Sequence, residues 1–149
     1  YSGINLVSSN SNRIQENTAS GNNQNGISLL NSSENILRDN VVDQNYGTGI
    51  WFNLSNDNQI YQNNITNNPF GLQIMHSTGN AIYHNNFINN KEHSEDINGI
   101  NNWDRGNVTG GNYWSGHVAK GNPSQNWPRM VKGGKIDAYP FQEANGWLT

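Results

Sequence analysis

The residues equipped for chemistry are few and widely spaced. Glu16 and Asp39 stand 23 positions apart, and a pair of carboxylates held about 5 to 9.5 Å apart is the minimum equipment of a glycoside hydrolase. Gln62 and His84 follow in the same register, so the acids run out after two steps, and Arg38 sits beside Asp39. The pair is the best catalytic candidate in the chain, yet an outward polar register needs no function, and the reading leans away from an enzyme. Asp43 and Asp57 fall outside that register. A copper site would draw on imidazole and thioether donors in a chain without cysteine. His76, preceded by Met75, and His84 are the candidate ligands on consecutive passes, with His93 and His117 further on, but no two share a register. Sugar contact has a better claim. Trp51 lies between apolar Ile50 and Phe52, so alternation points it outward, and Tyr61 and Tyr83 share one outward position. Aromatic faces among carboxamides suit polyhydroxylated ligands; the competing expectation is that the two tyrosines simply stack across neighbouring strands.

What positions these residues is an internal repeat. Gly3-Ile4 recurs as Gly26-Ile27, Gly49-Ile50 and Gly71-Leu72, at spacings of 23, 23 and 22. Three asparagine registers keep step: Asn12, Asn35, Asn58 and Asn80; Asn17, Asn40, Asn63 and Asn85; Asn22, Asn45, Asn68 and Asn90. A serine register runs through Ser9, Ser32, Ser55 and Ser77. The apolar positions follow, as Leu6, Leu29, Phe52 and Ile74, then Ile14, Leu37, Ile60 and Ile82, then Ala19, Val42, Ile65 and Phe87.

Within each unit the apolar pairs skip one residue, the period of a strand, and Asn, Gly and Ser interrupt every run before a helix could form. Short strands joined by tight corners and stacked at about 4.8 Å per coil make an all-β, right-handed, single-stranded parallel β-helix, a pectate-lyase-like solenoid. Residues 1–90 form four coils of 22–23 residues, and residues 91–149 form a charged insert, a last irregular coil and a C-terminal cap of one structural domain. At the corners, each ladder asparagine is expected to donate to one neighbour and accept from the other while adopting a left-handed backbone. The insert Lys91-Glu92-His93-Ser94-Glu95-Asp96 reads as a loop, with the next Gly-Ile pair at Gly99-Ile100. Trp103, Trp114, Trp127 and Trp147 read as a plug over the open bore.

Composition agrees with an ordered polar solenoid. Thirty-one of the 149 residues are asparagine, charged residues make up 13%, and aromatics reach 10%, unlike the charge-rich profile of disordered chains. A net charge of −3 without a Lys/Arg run argues against nucleic acid. No apolar run is long enough to span a membrane. With no cysteine there is neither a disulfide framework nor a thiolate metal site, and no cofactor is called for. Asn31, Asn53, Asn64 and Asn107 head Asn-x-Ser/Thr sequons, possible N-glycosylation points of a secreted protein.

The coils resemble the NosD-like and CASH-domain β-helix repeats. Asn102-Trp103-Asp104-Arg105-Gly106, followed by Gly110-Gly111-Asn112-Tyr113-Trp114-Ser115, is similar to the ending common in NosD-like archaeal and bacterial surface or periplasmic proteins, and Asp137-Ala138-Tyr139-Pro140-Phe141 matches its closing Asp-x-Tyr-Pro element. Asp104, within that motif, is expected to make a structural hydrogen bond. The resemblance implies copper-maturation accessories, polysaccharide-acting proteins or large surface proteins. Where the family often carries an Asp/Gly-rich stretch, His117 to Trp127 has no carboxylate, so no calcium-type site is expected there.

The leading expectation is therefore an extracellular, cell-surface or periplasmic module with a structural or glycan-binding role. The alternatives are a polysaccharide hydrolase or lyase and a NosD-like copper accessory. The chain opens directly into its first coil, so further coils upstream, or self-association through the N-terminal edge, are expected to cover that edge.

Overall fold

The computed structural model describes all 149 residues, Tyr1–Thr149, and shows three parallel sheets, to each of which the first four coils contribute one short strand, while the fifth turn adds a strand to the first and third only. The first sheet holds Ile4–Val7, Ile27–Leu30, Thr48–Asn53, Phe70–Met75 and Glu92–Ile97. Arg13–Gln15, Ile36–Arg38, Gln59–Tyr61 and Ala81–Tyr83 form the second. The third consists of Thr18–Ser20, Val41–Asp43, Asn64–Thr66, Asn86–Ile88 and Tyr113–Trp114. Like lies over like: Ile4 pairs with Ile27, Ile27 with Ile50, and Ile50 with Leu72. The inward residues of all three sheets merge into one core of 17 buried side chains.

The asparagine columns are hydrogen-bonded ladders with a direction. Both the backbone N–H and the side-chain Nδ2 of Asn40 donate to Oδ1 of Asn63, at 3.0 and 2.9 Å, and Asn63 repeats this onto Asn85 at 3.1 and 2.9 Å. Each Nδ2 also reaches back to a carbonyl of the preceding coil, as Asn63 does to Leu37 at 2.9 Å. The serine column works through its hydroxyls, Ser32 N–H donating to Ser55 Oγ at 3.0 Å. Buried polar groups are tolerated here because each one is satisfied.

The left-handed backbone does not fall on these asparagines. It falls one residue earlier, on Glu16, Asp39, Gln62 and His84 (φ 55 to 57°), on Ser11, Glu34 and Asp57, and on Ser8, Asn31, Leu54 and His76. Reversing the chain at that residue aims the next side chain into the bore, so the ladder residue itself stays in ordinary geometry. A non-glycine residue there costs about 1–2 kcal/mol, offset by the ladder bonds that the corner makes possible. The glycine register has another cause, since a Cβ on Gly49 would lie 2.7 Å from the carbonyl oxygen of Gly71 and 2.9 Å from Asn68 Nδ2.

The period does not break after Asn90. Lys91 to Asp96 is no loop; Glu92–Ile97 pairs in parallel with Phe70–Met75, Leu72 opposite Ser94 and Ile74 opposite Asp96. His93 thus occupies the glycine position, which no following coil crowds, and Gly99 packs instead against Ser77. The structure has about five turns, the four regular coils and a last one that begins in register with them. Asn101 and Asn112 extend two ladders, accepting from Asn80 and Asn85. Trp103 follows Asn102, the partner of Ala81, and Trp114 lies under Phe87, with ring centroids 4.3 Å apart and nearly parallel.

Below this turn, an antiparallel hairpin, Arg129–Val131 with Lys135–Asp137, closes the end. Val131 enters the core, Lys132 bridges to Glu95, and the carbonyl of Lys132 accepts from Asp96 N–H at 2.8 Å. Only two of the four C-terminal tryptophans fill the bore. Trp103 and Trp114 are buried, whereas Trp127 is exposed beneath Lys120, and Trp147 lies on the flank of the solenoid.

Candidate functional site

The register of Glu16, Asp39, Gln62 and His84 forms a column along the corner between the second and third sheets. Its members project outward because the left-handed turn sends the following asparagine inward. Glu16 is exposed, and the Asp39 carboxylate is held by the guanidinium of its neighbour Arg38. Neither acid has the buried, unshared surroundings that divide two carboxylates into a general acid and its partner.

Further along this column the C-terminal tail folds back and covers it. Asn145 N–H donates to Asn86 Oδ1 at 3.0 Å, Asn86 Nδ2 returns a bond to Asn145 Oδ1 at 2.8 Å, and the same Nδ2 reaches Asn64 Oδ1 at 2.6 Å. This lays the Trp147 indole flat on the His84 ring, centroids 5.3 Å apart and 5° from parallel, with Phe141 edge-on at 5.7 Å. His84 Nε2 donates to the Thr109 carbonyl at 2.7 Å. Burial holds the His84 pKa below its ordinary value, against the opposing pull of that carbonyl.

Between tail and column lies a cleft of about 320 Å³, walled by Asp39, Gln62, Asn64, Asn145, Trp147 and Leu148. Tyr61 and Tyr83 do not line it; they directly precede Gln62 and His84 of the column. Their rings are stacked at 5.2 Å, Tyr83 meets His84 edge-on at 5.2 Å, and Arg105 lies 5.1 Å over Tyr83. Burial raises the Tyr83 phenol pKa, Arg105 lowers it, and Tyr61 adds a smaller upward push. Trp51 is elsewhere, half-buried on the first sheet between Ser28 and Gln73. The three aromatic candidates therefore do not share one surface. His84 joins the tyrosines to the tail, meeting Tyr83 on one side and Trp147 on the other; Trp147, assigned to the plug from sequence, is placed by the Asn86 to Asn145 contact, 59 residues apart, which no local pattern signals.

Two buried acids also escaped notice, because one sits in the charged insert and the other in the closing motif. Asp96, fully buried, accepts from Trp103 Nε1 at 2.8 Å and Asn101 Nδ2 at 2.9 Å. Asp137, also fully buried, accepts from Trp114 Nε1 at 2.8 Å and Asn112 N–H at 2.7 Å on one oxygen, and from Tyr139 N–H at 3.2 Å on the other. Burial drives its pKa up to about 7; the Trp114 and Asn112 bonds pull against this, Asp104 adds to it, and the Tyr139 bond opposes it again. Asp104 itself accepts from Gly106 and Ala138 N–H groups at 2.9 and 3.0 Å.

The family described as periplasmic copper-binding protein (NosD) matches residues 1–119. The chain belongs to the NosD family. The matched stretch contains all five turns of this NosD-family chain, while the closing hairpin and the tail lie beyond it. No curated protein matches the sequence. Among solved structures, the A-module of mannuronan C-5 epimerase AlgE6 from Azotobacter vinelandii is similar at 16% identity with a TM-score of 0.45, covering 67% of this chain. The chain spans 35% of that structure's length.

The copper in the NosD description has no obvious seat among the residues of this chain. No group of three or more His, Cys, Asp or Glu side chains converges as a ligand set. His84, His93 and His117 each spend Nε2 on a backbone carbonyl, and His93 Nδ1 faces Asn90 Nδ2 at 3.3 Å. His76 is exposed on a different corner column from His84. No helix is long and apolar enough to cross a membrane. Of the four sequons, Asn107 stands on an exposed helical turn and Asn31 is exposed, whereas Asn53 lies half-buried within a strand and Asn64 Oδ1 is engaged by Asn86.

Proposed function

We propose that this chain is a cell-envelope β-solenoid module that binds a glycan in the cleft beneath its C-terminal tail. The NosD family's periplasmic description supports the placement. The observation carrying the reading is the composition of that cleft: an indole, the carboxamides of Gln62, Asn64 and Asn145, and the Asp39 carboxylate around about 320 Å³. A pyranose offers C–H faces for an aromatic ring and hydroxyls for amide and carboxylate partners. The volume is at the small end of the range for ligand sites, roughly 300–1,000 Å³, which suits one or two sugar units at a chain end or branch. Asp39 is already paired with Arg38, so the cleft favours binding over cleavage.

A glycan-array screen of wild type, Trp147→Ala, Gln62→Ala and Trp51→Ala tests this reading. Gln62→Ala leaves the tail's anchoring bonds in place and separates ligand contact from tail release. Loss of an array signal in both cleft variants, with Trp51→Ala unchanged, is the expected outcome. Retained binding in both, or glycan turnover by wild type, counts against it.

A further inference from the structure

A second depression runs along the corner between the third and first sheets, at the opposite end of the third-sheet strands from the tail-covered cleft and sharing no lining residue with it. Its floor is the third asparagine ladder, and its volume is about 790 Å³. One wall is the left-handed column of Gln44, Asn67 and Asn89 (φ 52, 56 and 54°). The other is the column directly after the ladder, Tyr46, Pro69 and Lys91. The backbone of this second wall is tied to the preceding coil at its outer rungs: Tyr46 N–H donates to Asn22 carbonyl oxygen at 2.9 Å, Gly47 N–H to Gln24 at 2.7 Å, and Lys91 N–H to Asn68 at 3.0 Å. Pro69, the middle rung, has no N–H to donate.

Its side chains are left open. Tyr46 is 76% exposed and stacks on no other ring, an unusual position for a large aromatic held by so regular a backbone. The carboxamides of Gln44 and Asn89 have no partner within the protein, while Asn67 Nδ2 donates to Asp43 at 2.8 Å and keeps its oxygen outward. Although the chain carries a net charge of −3, no carboxylate lines this groove. Lys91 is its one cation and takes no part in the ion pairs, which join Arg38 to Asp39, Lys132 to Glu95 and Lys135 to Asp96.

Carboxamides repeating at about 4.8 Å per coil match the advance of an extended polysaccharide more closely than the outline of a compact ligand. We propose that this groove binds a strand of acidic, carboxylate-bearing polysaccharide lying parallel to the solenoid axis. Successive sugars fall on successive coils, Tyr46 packs against a sugar face, and Lys91 meets a uronate carboxylate. This rests on the glycan reading above but uses a different surface and a different feature of the ligand, its length.

The test is calorimetry of the full chain with polygalacturonate, with its trimer, and with neutral hydroxyethyl cellulose, comparing wild type with Tyr46→Ala, Lys91→Gln and Trp147→Ala. Both groove substitutions are at exposed positions and leave the ladders intact. The expected result is that the acidic polymer binds at least about tenfold tighter than its trimer, and that Tyr46→Ala and Lys91→Gln each weaken polymer binding by about tenfold, a contact of ordinary strength. Equal affinity for polymer and trimer, equal affinity for the neutral polymer, or wild-type binding in both groove variants overturns the groove assignment. If binding falls only in Trp147→Ala, the cleft reading survives alone. If wild type binds none of the three probes and no glycan on the array, both fall.

Discussion

The four coils of residues 1–90 and the closing turn below them face one problem, polar groups inside a narrow bore, and answer it with different chemistry. In the coils the buried polar residue is a neutral carboxamide, which accepts from the coil before and donates to the coil after. In the last turn there is no coil to donate to. There two of the three ladders end on carboxylates: Asp137 Oδ2 takes Asn112 N–H and Nδ2 at 2.7 and 3.4 Å, the same pair of bonds that a ladder Oδ1 receives, and Asp96 takes Asn101 Nδ2, while the third ends at Asn90 against His93 Nδ1. A carboxylate is acceptor-only, so it suits the end of a directed ladder and would fail in its middle. Each terminal acid then gains a tryptophan indole as a further donor. The cap chemistry thus follows from the polarity of the coils.

The largest effect is expected from Asn63→Leu. It leaves the buried N–H and Nδ2 of Asn40 without their partner on Asn63 and removes a bond to the Leu37 carbonyl, and at about 1–3 kcal/mol per stranded group the loss in urea unfolding should reach about 4 kcal/mol. Asp96→Ala comes next. It strands the Trp103 indole and the Asn101 amide, with an expected loss of about 3 kcal/mol and a change in near-ultraviolet tryptophan signal that Asn63→Leu should not share.

Asp137 sharpens the contrast through pH, because a carboxamide ladder does not titrate. Its folded pKa lies at about 7, above the ordinary 3.8, so the folded state holds its proton more tightly than the unfolded chain does. The resulting stability is fully present below pH 3.8 and is lost as pH rises through about 7. Thermal unfolding between pH 5 and pH 8 should show a loss of about 2–3 kcal/mol. Asp137→Asn keeps an acceptor oxygen without the charge and should flatten that profile; an unchanged slope in the variant would refute the assignment. The smallest effect belongs to Trp127→Ala, exposed outside the bore, at less than about 0.5 kcal/mol. A large loss there would restore the four-tryptophan plug.

Repetition made the coils readable. Each register of Asn, Ser or aliphatic residues is stated four times in the sequence, so one atypical member such as Ala19 does not hide it. The fifth turn is stated once, with Ser94 and Asp96 where Leu72 and Ile74 stand above, and polar residues at inward positions read as solvent-facing. The left-handed corners were misplaced because Glu16, Asp39, Gln62 and Leu54 are not residues that advertise that conformation. The tail-covered cleft depends on Asn145 meeting Asn86, a tertiary contact without periodicity. Tyr46 is silent in the sequence for a different reason: it follows a ladder asparagine at a corner, outside the strands whose alternation points Trp51, Tyr61 and Tyr83 outward.

The one-way hand-off along the asparagine columns makes every joint between coils interchangeable. Whatever coil sits above, the coil below is offered the same donors, so a 22- or 23-residue unit can be removed or duplicated without redesigning the seam on either side. Length in such a molecule is an adjustable dimension, and a surface that spans several turns, as the corner groove does, would lengthen or shorten in step with it.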